Sequence, residues 1–253
     1  GTVMDGRFGA KTAKAMGAET AVKKDPSTDR DKAIAARARQ RAIGRELRRM
    51  FDEVVQEVLD SGVQTAALFS HGAMIRVALA PCSPFSVTEE LMVRSAELAA
   101  KLDVRLHTHF AENSEDDDFS LARFGCRPMD YLERTGWCTD RTWVAHCVMP
   151  NAEEIVHLGA AGIGAAHCPS SNLILASGIA PVVDLRAAGV HVGLGVDGSS
   201  SADSASLWLE ARQAMLLAKL RNGAGAADAR MALEVATIGG AGCLGRVGEI
   251  GSL

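Results

Sequence analysis

Hydrophobic and polar positions change their rhythm along this chain. Residues 1–30 are weakly patterned, and Lys23-Lys24-Asp25-Pro26-Ser27-Thr28 has the composition of a turn or linker. From Asp31 to about Asp60, Leu47, Met50, Phe51, Val54, Val55, Val58 and Leu59 recur at helical spacing, with Ser61-Gly62 as a stop. The basic half of this helix, Arg37 to Arg49, precedes an acidic half, Asp52 to Asp60, against the helix dipole. A solvated face accounts for that basic cluster better than an acidic partner does.

After His71-Gly72 the pattern becomes an alternation of short apolar runs with helical segments. Met74 to Ala80 reads as a strand stopped by Pro81-Cys82-Ser83-Pro84, and Thr88 caps a helix running to Leu102 with Glu89 and Glu90 in its first turn. Strands follow at Val104 to His109, Thr142 to Cys147, Gly162 to Pro169 and His191 to Gly198. Helices are expected at Phe119 to Arg134, Asn151 to Leu158, Ile179 to Ala188, about 204–220 and about 228–243. The acidic run Asn113 to Asp118 reads as a solvated loop. The chain thus divides into a mostly helical segment, 1–70, and a β/α portion, 71–253.

Regular alternation of strand and helix implies a parallel sheet, as a barrel or a doubly wound sheet. The last four strands end in His109, His146, His167 and Asp197. In a (β/α)8 barrel the carboxyl ends of all strands converge on one mouth, so these four would meet; a doubly wound sheet joins only neighbours at a switch point. The expected class is therefore α/β, a TIM-like barrel, incomplete, with five strands recognisable.

Composition narrows the partners. At 253 residues and 47% hydrophobic content a sizeable core is possible, and a net charge of −4 offers no electrostatic case for nucleic acid or an anionic membrane surface. No apolar run reaches membrane-span length and no signal-peptide core opens the sequence. The six cysteines form no CxxC pair and read as buried thiols of a reducing, cytoplasmic compartment.

The chemistry concentrates in Leu106-His107-Thr108-His109-Phe110-Ala111-Glu112. On a strand, His107 and His109 share one face and Leu106, Thr108 and Phe110 the other, while Glu112 follows in the loop. A strand that delivers an imidazole and then a carboxylate can hold a metal and move a proton. His71, His157 and His191 are assigned structural or surface roles.

His109-Phe110-Ala111-Glu112, Trp143-Val144-Ala145-His146, His167-Cys168-Pro169-Ser170-Ser171-Asn172 and Gly195-Val196-Asp197-Gly198 resemble the successive strand-end motifs of the amidohydrolase superfamily, in its aminohydrolase branch. Ala80 to Val87 and Leu175 to Val182 resemble the 8-oxoguanine deaminases and hydroxytriazine aminohydrolases of that branch. The resemblance covers about 72–253 and implies that the five strands are strands four to eight of the family's barrel. It implies that His109 ligates one divalent metal, zinc with iron as the alternative, and that Asp197 ligates it as well or takes a proton from its water. Glu112 would shuttle a proton to the ring nitrogen, and His146 would orient the attacking water. Cys82, His167 and Asn172 would shape the substrate end. The implied reaction is hydrolytic deamination of a purine-like or triazine small molecule, 8-oxoguanine first, with guanine or hydroxytriazine as alternatives; homo-oligomerisation stays open.

The same family carries a His-x-His pair on its first strand, and no such pair lies upstream of residue 107. Reading His107-Thr108-His109 as that pair conflicts with the spacing to Glu112 and with the order of the later motifs. The remaining expectations are a fragment of an active deaminase, or a short chain with a half-built site acting only as a binding or assembly module.

Overall fold

The computed structural model describes residues 78–252, together with Arg49. The helix expected over 31–60, apart from Arg49, and the start of the strand expected from Met74 lie outside the described residues, as does His71.

Strands β1 (Ala78–Leu79), β2 (Arg105–Phe110), β3 (Thr142–His146), β4 (Gly164–His167) and β5 (Val192–Leu194) form one sheet. They pair in chain order, every pair parallel. A doubly wound sheet reverses its order at a switch point; this sheet does not, so each crossover advances in one direction, as in a TIM-like barrel. Burial along β2 alternates, with Leu106, Thr108 and Phe110 buried and His107 and His109 half-buried on the opposite face. The register sets His107 beside Trp143 and His109 beside Ala145, so the histidines share their face with β3.

The helices follow local chemistry. α1 (Glu89–Leu102) starts where the Thr88 side chain accepts from Leu91 N, and it ends at Asp103 in a left-handed conformation. Its buried positions Met92, Ser95, Leu98 and Ala99 make one face, against which Trp137 is wholly buried and donates from Nε1 to Met92 O at 2.9 Å. The acidic run expected as a loop instead forms the first turn of α2 (Ser114–Phe124), capped by Asn113. Its carboxylates favour the positive helix N-terminus. The single helix expected from Phe119 to Arg134 is two. Gly125, at φ 72°, closes α2, and Pro128 opens α3 (Pro128–Arg134).

α4 (Ala152–Ala160) carries a capping box in which Asn151 and Glu154 satisfy each other's backbone N–H groups. Two further short helices, α5 (Pro169–Ile174) and α6 (Val182–Ala187), precede β5. α5 was not anticipated from the sequence, and β5 is shorter than its expected span, leaving Asp197 beyond the strand. α7 (Leu207–Asn222) and α8 (Ala229–Glu234) follow, then a π-helical turn, Val235–Gly239, and α9 (Gly240–Cys243). This last segment presses on β5 through glycine. A Cβ on Gly239 would lie 1.9 Å from Val192 O, and one on Gly193 would lie 2.8 Å from Gly240 Cα. Among the described residues no helix is long and apolar enough to cross a membrane.

Arg127 ties α2, α3 and α4 together. Its Nε and Nη2 donate to the two carboxylate oxygens of Glu154 at 2.8 and 2.9 Å, and its Nη1 donates to Asp117 at 3.0 Å. The Glu154 side chain is 8% exposed and the Arg127 side chain 31%. Arg127→Met strands a nearly buried carboxylate. We expect a loss of about 2–3 kcal/mol in denaturant unfolding, below the full cost of breaking a buried pair because water reaches the arginine.

Candidate metal centre

His109 comes from β2, His146 ends β3 and Asp197 follows β5; one ligand atom from each lies within 4.8 Å of the others. Parallel strands in chain order bring the three together although 88 positions separate the outer two in the sequence. Two of these residues are held in the left-handed region, His146 at φ 68° and Asp197 at φ 63°. For non-glycine residues that costs about 1–3 kcal/mol each, and such strain collects at functional sites.

Each imidazole has one nitrogen tied down. His146 Nδ1 donates to Asn172 Oδ1 at 2.9 Å, which leaves the lone pair on Nε2. That Nε2 is buried with no hydrogen-bond partner, 3.6 Å from Glu112 Oε2 and 3.8 Å from Asp197 Oδ2. His109 Nδ1 donates to Cys82 O at 2.6 Å, a carbonyl that also accepts from His109 N and Thr108 Oγ1. Metal-binding histidines characteristically give their second ring N–H to a carbonyl or carboxylate, and both rings are set in that way. A bare imidazole lone pair facing two carboxylates is an arrangement of acceptors only, which a cation satisfies. The residues therefore fit a divalent metal.

The local field agrees. The Cys82 side chain beside His109 raises its pKa to about 9 against the opposing effect of burial. The same contact holds the thiol below its ordinary range. Burial by itself would raise the Asp197 pKa, but the Ser171 hydroxyl, the Gly198 N–H and the two imidazoles together keep it below the usual value. This is a place that favours positive charge.

The other expected residues fall in different settings. Glu112 stands beside His146, and its backbone N–H donates to Asp116 Oδ2 at 2.8 Å. Cys82 is exposed at the rim. Asn172 and His167, expected at the substrate end, are buried: Asn172 lies against His146, and both ring nitrogens of His167 lack partners. His107 stacks on Trp143 at 4.7 Å and donates from Nδ1 to Trp143 O at 3.1 Å. Sequence reasoning did not single out Ser171, which donates to Asp197 Oδ2 at 2.6 Å, or Asp116. The adjacency of Ser171 to Asn172 was the only signal for the former.

Burial pushes His167 down to about 3 and His107 to about 4. Both stay neutral when folded, whereas the unfolded chain binds these protons below about 6.5. Stability from this source is complete above that pH and is lost as pH falls toward 3. Denaturant titrations from pH 7 to 4 should show His167→Asn with a flatter pH dependence, by about 1.4 kcal/mol per pH unit where one proton is involved.

The chain matches the amidohydrolase family over residues 10–253. It is 58% identical over 182 residues to the 8-oxoguanine deaminase of Pseudomonas aeruginosa, covering 72% of this chain and 40% of that protein. Against a 5-methylthioadenosine/S-adenosylhomocysteine deaminase of Moorella thermoacetica it is 42% identical, covering 72% and 44%. An adenosine deaminase from Xanthomonas campestris, solved with zinc bound, superposes with a TM-score of 0.67 at 37% identity over 69% of this chain and 40% of that one. An atrazine chlorohydrolase from Arthrobacter aurescens, also with zinc, gives 0.67 at 38% identity over 77% and 43%. The chain thus spans about two-fifths of the length of these relatives. By the extent of the family match, by these identities and by its sheet, the chain belongs to the amidohydrolase family.

Proposed function

We propose that this chain carries the metal-assisted chemistry of an aminohydrolase acting on an aminated heterocycle, with 8-oxoguanine as the substrate. The observation that carries this reading is the unpartnered Nε2 of His146, held between Glu112 and Asp197 with its tautomer set by Asn172. The choice of 8-oxoguanine over other bases rests on the 58% identity to the Pseudomonas enzyme, against 42% to the Moorella thermoacetica deaminase.

His109 and Asp197 would hold the ion, zinc in this reading with iron as the alternative, and His146 would complete the group or, beside the ion, orient the attacking water. When bound, such an ion acts as a Lewis acid and lowers the pKa of coordinated water to ~7. The chain's own side chains then handle the protons. Glu112, the carboxylate beside His146, takes the proton of the attacking water and delivers it to the ring nitrogen. Addition of water to the amine-bearing carbon makes a tetrahedral centre. Asp197, held deprotonated by Ser171 and Gly198, takes the hydroxyl proton of that centre and passes it to the amine, so that ammonia leaves and the carbonyl is restored.

An apolar cleft opens beside His109, lined by Pro84, Phe85, Phe110 and Phe119. The rings of Phe85 and Phe119 meet edge to face at 6.1 Å. Cys82, exposed against His109, keeps its assignment to the substrate end. Asn172 and His167, being buried, support His146 and the sheet end rather than meeting substrate.

Zinc-loaded protein should release ammonia from 8-oxoguanine, and Glu112→Gln should lower the rate about 10²–10⁴-fold, as expected for removal of a proton shuttle. Stoichiometric zinc without ammonia release would sink the deamination reading for this chain. Turnover that persists in strong chelator would sink its metal dependence.

A further inference from the structure

Helix α5 has six residues, yet two of the three candidate ligands rest on it. Asn172 Oδ1 accepts from His146 Nδ1 at 2.9 Å, and the Ser171 hydroxyl donates to Asp197 Oδ2 at 2.6 Å. Ser201 Oγ lies 2.9 Å from Ser171 Oγ and donates to the same Asp197 Oδ2 at 3.3 Å, a longer contact than that of Ser171. Ser171 and Asn172 have no exposed surface at all. Neighbouring positions on one helix therefore reach ligands delivered by β3 and by the loop after β5.

α5 is in turn seated by α7. Glu210 Oε2 accepts from Ser170 N at 2.9 Å, and Gln213 Nε2, one turn along, donates to Ser170 Oγ at 2.6 Å. Glu210 is wholly buried, and its Oε1 has no hydrogen-bond partner. Burying a carboxylate with one oxygen unsatisfied is costly, so the position must return something that an apolar residue would not. What it touches is the amide at the start of the short helix that orients the ligands.

We propose that Ser171 and Glu210 are positioning residues of the metal centre. Ser171 fixes the rotamer of Asp197, and Glu210 fixes the helix from which Ser171 and Asn172 reach the ligands. This rests on the reading of His109, His146 and Asp197 as metal ligands. Asp197 follows a short strand, and its left-handed backbone does not by itself aim the carboxylate. The serine supplies that aim. Groups that orient metal ligands in this way typically govern affinity by 10- to 100-fold.

The test is titration of the full chain with cobalt(II), read by visible absorption, and with zinc in competition with a chromophoric chelator, beside thermal unfolding of the metal-free protein. Ser171→Ala should weaken both ions about 10–100-fold and shift the cobalt spectrum while leaving metal-free unfolding unchanged. Ser171→Thr, which keeps the hydroxyl, should restore both. Glu210→Ala should weaken binding as well. Added to Ser171→Ala it should contribute less than it does alone, because both act through α5. If Glu210→Ala does not fold, Glu210→Gln, which keeps an acceptor toward Ser170 N, should bind as the wild type does. Tight wild-type binding that Ser171→Ala leaves unchanged overturns the positioning role while the metal reading stands. Additive effects of the two alanine variants overturn the part assigned to Glu210. A wild-type chain that binds neither ion overturns both readings.

Discussion

The hydrogen bond from His146 Nδ1 to Asn172 Oδ1 determines what the mouth of this sheet can do. A buried imidazole has two tautomers, and this bond selects the one whose lone pair points at Glu112 and Asp197. Were the tautomer reversed, Nε2–H would donate to a carboxylate and the cluster would close on itself. As built, it is a set of acceptors around a common point. The same device recurs at His109, whose Nδ1 is bound to a backbone carbonyl, so both rings turn their remaining nitrogen to further partners. Neighbouring side chains add a charge preference: Cys82 makes the imidazole of His109 hold a proton more firmly than usual, and the Ser171 hydroxyl makes Asp197 release its own more readily.

Three layers support this centre. The sheet fixes where the ligands start, because β2 and β3 are in register and place His109 beside Ala145, with Phe110 opposite His146. Helix α5 decides how two of the ligands turn. Beneath it, Glu210 and Gln213 of α7 hold α5 by its first residues. Positive φ at Ala111, His146, Cys147 and Asp197 marks where the chain leaves its strands to enter the site, and close backbone hydrogen bonds such as Val148 N to Ala111 O keep those bends in place. Local conformational cost is thereby set against neighbouring contacts.

Much of the architecture was legible because it depends on local pattern. The cap at Thr88, the strand period from Leu106 to Phe110 and the helix expected from Asn151 to Leu158 each sit close to where the residues imply. The errors have physical causes. Asn113 to Asp118 has the composition of a solvated loop, but an N-cap followed by carboxylates is also a favourable helix start, and Asp116 has a fixed amide to accept from. The break at Gly125 to Pro128 was passed over because the apolar spacing continues through it. α5 was hidden inside a motif read for its chemistry rather than for its proline at the first helical position.

The sequence by itself determined the parallel βα order, the alternation that puts His107 and His109 on one face, and the residue types able to bind a cation. Those properties belong to single segments and to their order along the chain. Only the tertiary structure decided which residues meet. His146, His109 and Asp197 converge because the sheet runs without a reversal. Asn172 lies behind His146, and Ser171 beside Asp197, because α5 is pinned by a helix that begins 33 residues after its own end. A side chain's partner across such a distance is set by packing, which no local pattern of residues encodes.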